Sequence, residues 1–529
     1  MYKKILLYTS NQKGMALVAT LIIVLAISTF AIAMLSMTTS DIKLSALQEA
    51  SKETFYIAES GIDRAIGFLE DLGNPDYQVP FNPFTDDNGG WPKIGSGEYQ
   101  VFIKSSSPLS YTIISEGRKP WNNASGKIST KIKSEVILDN FAVFAYFSDQ
   151  ELFPSHIDSS YGGTKIWFFG EDTIEGRLHS NDRLAMAGTP TFYGAVTSAY
   201  INKATGDKSW EKYDSKTNPN FYGKPPYQGG VDKIPLPTYR NISELGDPNS
   251  LQRIAGSPAS QDDVNKESNG VYIANSGTQV TDGIWVKGSV DTLSFGVDDK
   301  NNPETTIIQG GKTTVITTVE TPITIGGVTY PKDTTLIREN SIVKKSLNGF
   351  TNGVIFVNGE IKSLQAPAAT KGVKGKVTLA SNNHITIGSD ILYNTRVNDP
   401  NCFKTTEDNP FPDIPDSLGL ISEGDIKIKK ATASANLEIN AIMMALGTSF
   451  FYEGWKDTQK GKLTVYGSFI QKQRGPVGMF SSTGKSYGYS KDYHFDTRMD
   501  VNNPKFGQVL PPYFPTTGKY IPLYWEEIL

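Results

Sequence analysis

The chain carries a single cysteine, Cys402, among 529 residues. A lone thiol closes no internal disulfide, so an exported chain of this kind must rest on a large core, and zinc sites built on cysteine pairs are excluded. Histidine is scarce too: His156, His179, His384 and His494 lie far apart. Neither HExxH nor GxSxG occurs. The formal net charge of −4, with 20% charged residues, gives no global pull toward nucleic acid or acidic lipid. One absence is local. From Gly14 to Ser40 there is no Asp, Glu, Lys or Arg.

That stretch, GMALVATLIIVLAISTFAIAMLSMTTS, follows Lys3, Lys4 and Lys13. About 20 apolar residues cross a bilayer core of about 30 Å as a helix. The basic flank keeps the N-terminus cytoplasmic and sends everything after Asp41 to the periplasmic or extracellular side, as a single-pass inner-membrane protein. The run exceeds the ~7–15 residues of a secretory h-region, although Ala31-Ile32-Ala33 has the form of a signal-peptidase site. Beyond Ser40 the pattern becomes amphipathic. Leu44, Leu47, Phe55, Ala58, Ile62, Ala65, Ile66 and Leu69 recur largely at spacings of three and four, with charged residues between them. One helix is predicted over 15–72, on the order of 85 Å long, ended by Gly73-Asn74-Pro75. Its plainest reading is a signal anchor with a stalk.

Turn formers and aromatics are plentiful, with 49 Gly, 29 Pro, 25 Tyr and 26 Phe. The predicted fold class is mainly β with one long N-terminal α-helix. Residues 73–139 hold short strand patterns at 97–104, 111–116 and 129–138, with one wet face, and read as a small antiparallel β domain closed by the helix stripe. From 140 to 529 a unit recurs: Gly283–Val290, Gly353–Ile361 and Gly419–Ile426, with related runs at 377–380, 384–388, 437–442 and 463–470. Short apolar strands punctuated by Gly, Asn or Asp fit a β-solenoid whose levels bury one another's inner face, at roughly 20–40 residues per level. A β-sandwich would give similar signals. Segments 141–265 and 395–417 read as loop-rich. The aromatic tail from Pro511 to Trp525 is expected to wrap back over the body.

Candidates for chemistry are few. Gly311-Lys312-Thr313 and Gly484-Lys485-Ser486 lack the first Gly of a phosphate loop at the required distance. His179 with Asn181 and Asp182 is either a polar site or a turn held by side-chain hydrogen bonds, and the turn is favoured. Asp298–Glu304 has the oxygen density of a calcium loop without its ordered spacing. Asp425, Glu438, Lys472 and Arg474 could serve a polysaccharide-acting enzyme if they met in one groove, and Trp455, Tyr487 and Tyr489 could stack on sugars or fill the core. No catalytic residue, cofactor or metal ligand is assigned.

The leader ending in Lys13-Gly14, the run MALVATLIIVLAI and the segment Tyr56-Ile-Ala-Glu-Ser-Gly-Ile62 resemble the N-terminus of PilX-type minor pilins of type IV pili. The tip pseudopilins of type II secretion are similar. The resemblance covers about 60 residues. It implies a prepilin-type leader over 1–14, cut after Gly14 by a prepilin peptidase to leave Met15 as the new N-terminus. It also implies helix-assembly roles for Ala19, Glu59 and Gly61. Major pilins carry Glu at the fifth mature position, where this chain has Ala19, which points to a minor or tip component. A second resemblance, carried by Gly176–Asp182, Ala187–Gly194, Tyr466–Val477 and Gly488–Tyr493, is to an uncharacterised bacterial domain family commonly fused to pilin-like N-termini. Together they imply a non-enzymatic, membrane-anchored pilus component displaying a β-rich ectodomain for adhesion or assembly. Its expected partners are the lipid bilayer, other pilin-like subunits and, on the ectodomain, surface glycan. An anchored β-helical enzyme or binding module acting on surface polysaccharide is the alternative.

Overall fold

The computed structural model describes residues 13–72, 77–107, 109–121, 126–170, 172–406, 409–431, 434–481 and 484–528. Most of the leader and the Gly73–Pro75 stop lie outside them. The chain divides into two compact units, one of residues 1–137 with 520–529 and one of residues 138–519.

The small unit is built on one unbroken helix, Lys13–Leu72, of 60 residues, about 90 Å at 1.5 Å per residue. No proline interrupts it. Its second half carries a buried stripe of Ala50, Thr54, Ile57, Ala58, Ile62, Ala65 and Leu69, the i, i+3, i+4 pattern of a helix with one covered face. The stripe begins later than the sequence pattern suggests, because Leu44 and Leu47 are exposed.

The covering surface is a five-stranded sheet. In order across it come Lys93–Ile94, Gly97–Ser107, Ser110–Trp121, Gly126–Asn140 and Thr516–Ile528. The first four pair antiparallel in sequence order. Tyr99, Val101, Ile103, Tyr111, Ile113, Ile132 and Val136 point inward, at the every-second-residue spacing of a half-buried strand. The edge strand comes from the far end of the chain. Ser134 Oγ donates to Tyr524 O at 3.1 Å, and Lys133 pairs with Glu526 at 3.2 Å.

The large unit is solenoid-like, a stack of short parallel strands. Val286, Val357, Ser381, Ser422, Ala445, Gln471, Ser148, Ser180, Ser198 and Gly229 stand in one continuous parallel register. The order is permuted. The chain enters at Phe144–Gln150, builds outward through Arg177–Ser180, Val196–Ser198 and Gln228–Gly229, and then crosses to the opposite end of the stack. From there it returns level by level until Gln459–Gln473 pairs with the strand where it began. The three repeats seen in the sequence occupy equivalent positions, since Ile284, Ile355 and Leu420 share one column and Ile361 and Ile426 another.

The interior is columnar. Ile361, Ile385, Ile426 and Phe450 lie one above another, as do Leu364, Ile387, Ile428 and Tyr452. No level buries its own inner face, so each is stabilised by its neighbours. Corners are tight: Gly359 sits at φ 154° where a Cβ would meet Ser289 N at 2.5 Å, which only glycine tolerates. The segment read as loop-rich holds strands of two to four residues at 168–229, too short to show a period but paired in parallel. Thr292–Val297 pairs in parallel with Ile361–Ala366 and opens an antiparallel run through Pro303–Gln309, Lys312–Val319, Thr334–Glu339 and Ile342–Asn348, with a small hairpin of Ile323–Ile325 and Val328–Tyr330 inserted in it. In the tail, Thr378 Oγ1 donates to Pro512 O, so its start lies on the stacked strands as expected, whereas Thr516–Ile528, read as part of the same wrap, is instead the edge strand of the small sheet.

Candidate functional site

Two features stand out, the bare half of the long helix and a charged seam inside the large unit. On the helix, Leu17, Leu21, Ile22, Ile23, Leu25 and Phe30 are all more than half exposed. It is the one helix among the described residues long and apolar enough to cross a membrane. Most of its hydroxyls bond back to the helix's own carbonyls. Thr20 Oγ1 donates to Ala16 O at 3.0 Å, Ser28 Oγ to Val24 O at 2.7 Å and Thr38 Oγ1 to Met34 O at 2.8 Å. In hydrocarbon such back-bonding spares these donors the cost of standing unpaired.

Gly14, Met15 and Ala19 lie in this helix, and Met15 and Ala19 are exposed. Glu59 is exposed as well, on the face away from the sheet. Gly61 is buried, and a Cβ there would overlap Ser115 Oγ and crowd Val101 and Tyr99. From the sheet side, a Cβ on Gly117 would overlap Thr54 O and meet Ala58 N at 2.5 Å. Paired glycines thus let helix and sheet backbones approach closely. Beside them Thr54 and Thr130 share a buried hydroxyl hydrogen bond of 2.8 Å.

The polar candidates in the large unit are mostly structural. His179 is buried between Thr197 Oγ1 at 2.9 Å and Asn181 Oδ1 at 3.0 Å, and burial pushes its pKa down. Asn181 donates to Asp149 and clamps Ile234, while Asp182 accepts from the Glu151 and Arg183 amides. The trio is a turn held by its side chains. Asp298 accepts from the Lys300 and Asn302 amides and from Asn302 Nδ2, closing a hairpin turn. No group of three or more metal-ligating side chains occurs among the described residues. Glu438 is taken up by Arg396 at 2.6 and 3.0 Å, and Asp425 by the Ser449 amide and His156 Nε2. Trp455 and Tyr489 are buried, and Tyr487 is exposed. Asp425, Glu438, Lys472 and Arg474 do not share one groove; Lys472 and Arg474 line different cavities.

Arg474 leads to the second feature. It is buried, its Nη1 donates to Glu151 Oε2 at 3.2 Å, and its guanidinium lies over the Phe168 ring at 3.8 Å. Asp172 is 3.9 Å from Arg474 and accepts from Lys491 Nζ at 2.9 Å. Tyr146 OH donates to Glu151 Oε1 at 2.8 Å. Burial pushes the Lys491 ammonium pKa down and the Tyr493 phenol pKa up. At the rim, Glu175 and Asp492 flank His494 at 3.5 and 3.3 Å, and its pKa is raised by Glu175 first. Of these residues the sequence reading singled out only Arg474. The missed signal was local: Lys491 and Tyr493 sit in a strand at positions that neighbouring levels fill with aliphatics.

Residues 107–200 match a family described as a domain of unknown function (DUF4900). No curated protein sequence matches the chain. Three solved chains do, among them the crystal structure of the competence-associated pilin ComZ from Thermus thermophilus. That match has a TM-score of 0.31 at 12% identity, covering 90% of this chain and 97% of that chain.

Proposed function

We propose that this chain is a pilin-like, membrane-anchored minor component of a type IV pilus or a related secretion or assembly system. The observation that carries the reading is the division of labour along one helix. Its first half is apolar and bare, and its second half is buried on an antiparallel sheet through glycine contacts. A bare apolar half needs lipid or other apolar helices to cover it. The packed half makes the same helix the spine of a folded head. In this reading a prepilin peptidase cuts between Gly14 and Met15, and Ala19 and Glu59 lie on the faces offered to other pilin-like subunits. Gly61 fixes the helix to its own sheet. The large β unit is displayed beyond the membrane for adhesion or assembly, without catalysis and without a cofactor.

Mass spectrometry of the mature N-terminus tests this directly. The expected N-terminus is Met15, N-methylated; an N-terminus at Met1 or following Ala33 overturns the prepilin reading. A second reading, a β-helical module that acts on or binds surface polysaccharide, is favoured by one observation, the charged cavity at Arg474, Asp172 and Lys491.

A further inference from the structure

The stack is continuous on one face and interrupted on another. Where the returning chain meets its starting strand, Phe469–Gln471 pairs in parallel register with Tyr146–Ser148. On the adjacent face, Gly484–Phe495 ends one ladder and Thr173–Ile174 begins a separate three-stranded sheet. No ladder joins the two among the described residues. A cavity of ≈ 170 Å³ lies at this seam, lined by both strands.

The interior columns change character there. Leu437 and Leu463 are followed by Lys491, and Ile391, Ile439 and Val465 by Tyr493. On the opposite wall Leu379, Leu420, Met443 and Phe469 are followed by Tyr146, after which Leu178 and Val196 resume the aliphatic pattern. At this level polar-tipped side chains replace aliphatics in both columns, with Asp172, Arg474 and Glu151 set among them. Burying two cations and two carboxylates costs more than filling the same space with aliphatics. The levels before it fill the same columns with Leu437, Leu463, Ile391, Ile439 and Val465. A costly polar cluster in a cavity is a mark of a binding site.

The cavity also holds unused hydrogen-bonding capacity. Gln471 is 4% exposed, and its Oε1 accepts from the Phe450 and Gly475 amides at 3.2 and 3.3 Å. Its Nε2 has no partner among the described residues, and neither has the Tyr493 hydroxyl. Both residues line the cavity. The mouth is marked by Glu175 and His494, whose side chains are 46% and 32% exposed.

From this geometry we infer that the seam cavity binds one neutral sugar ring, such as a residue of a surface glycan. Its volume far exceeds the ~10–15 Å³ that one water needs on this measure and falls below the ~300–1,000 Å³ of drug-sized sites, which suits a single ring. Phe168, Phe450, Phe469 and Tyr493 supply apolar and aromatic walls for the ring's carbon face. Hydroxyls both donate and accept, so they satisfy Gln471 Nε2, the Tyr493 hydroxyl and a carboxylate rim together. The buried charges already balance, Arg474 and Lys491 against Glu151 and Asp172, so a neutral ligand adds no uncompensated charge. This inference rests on the display half of the proposed function, not on helix processing.

The test uses the full chain in a sugar-free detergent, lauryldimethylamine oxide, with glucose, galactose, N-acetylglucosamine and galacturonate as probes. Saturation-transfer NMR and calorimetric titration are expected to show saturable binding of at least one neutral sugar. Tyr493→Phe should weaken it about tenfold, the loss of one hydrogen bond. Glu175→Gln at the exposed mouth should weaken it while the circular dichroism spectrum stays that of the folded chain, and serves where Tyr493→Phe perturbs folding. Binding of no neutral sugar, binding of galacturonate alone, or wild-type affinity in both variants overturns the site. A mature N-terminus other than Met15 would overturn the pilin reading while leaving this binding result untouched.

Discussion

Gln473 Nε2 donates to Gln150 Oε1 at 2.7 Å although 323 residues separate them. Their strands are parallel and in register, and this pair marks the point where the large unit closes on its own beginning. A stack that grows outward first and is completed from the other end has its longest-range contacts in its middle, where loop closure is slow to be rewarded. The charged cavity sits at the same point.

The ion cluster at that junction should behave as one unit. Arg474→Met leaves the Glu151 carboxylate, 1% exposed, without its countercharge. We expect a loss of about 3–5 kcal/mol in the large unit, read from its urea transition. Adding Glu151→Gln should recover more than half. Additive losses in the double variant would show that the two residues are not coupled.

Close approach of helix and sheet predicts an inverted glycine effect. In an exposed helix Gly→Ala gains about 1 kcal/mol. At Gly61 the methyl meets Ser115 Oγ, so Gly61→Ala should cost about 1–3 kcal/mol in the small unit. Ser115→Ala should relieve it, because Ser115 Oγ is buried without a partner. Gly117→Ala should cost more than Gly61→Ala, since it meets helix backbone. A stabilised Gly61→Ala variant would contradict the packing.

Removing residues 520–529 should destabilise the small unit alone. The deletion strips the edge strand beside Gly126–Asn140 and takes Trp525 from its edge-on contact with Phe55 at 5.4 Å. Two separate denaturation transitions are expected in the full chain. The truncated chain should show the first moved to lower urea and the second unchanged. Coincident shifts of both would argue against two units.

Acid should weaken the large unit through His179. Its folded pKa is depressed by burial, so between that value and about 6.5 the unfolded chain binds more protons. Its contribution is full above about pH 6.5 and is lost as pH falls toward the folded value. His494 has the opposite sign, because its hydrogen bond to the Glu175 carboxylate raises its pKa. Its contribution is full below about pH 6.5 and fades as pH rises through the folded value. Urea midpoints from pH 5 to 8 should show His179→Gln with a flatter acid limb. His494→Gln should remove a decline on the neutral side. An acid limb unchanged by His179→Gln would reject the assignment.

The sequence by itself determined the helix, its uncharged first half, the small antiparallel sheet and the recurring short-strand unit. These are local properties: helical and strand periods, and the charge-free run from Gly14 to Ser40, are written in neighbouring residues. The repeats at Gly283, Gly353 and Gly419 even announced equivalent columns. Only the tertiary structure decided the order of the stack. Each short apolar strand offers the same pattern to any neighbour, and nothing local tells Gln471 to pair with Ser148. Only the fold could take Thr516–Ile528 into the small sheet. The same holds for the cavity. Glu151, Asp172, Arg474, Lys491 and Tyr493 are ordinary polar residues in sequence, and they become a site because a permuted stack brings distant strands to one level.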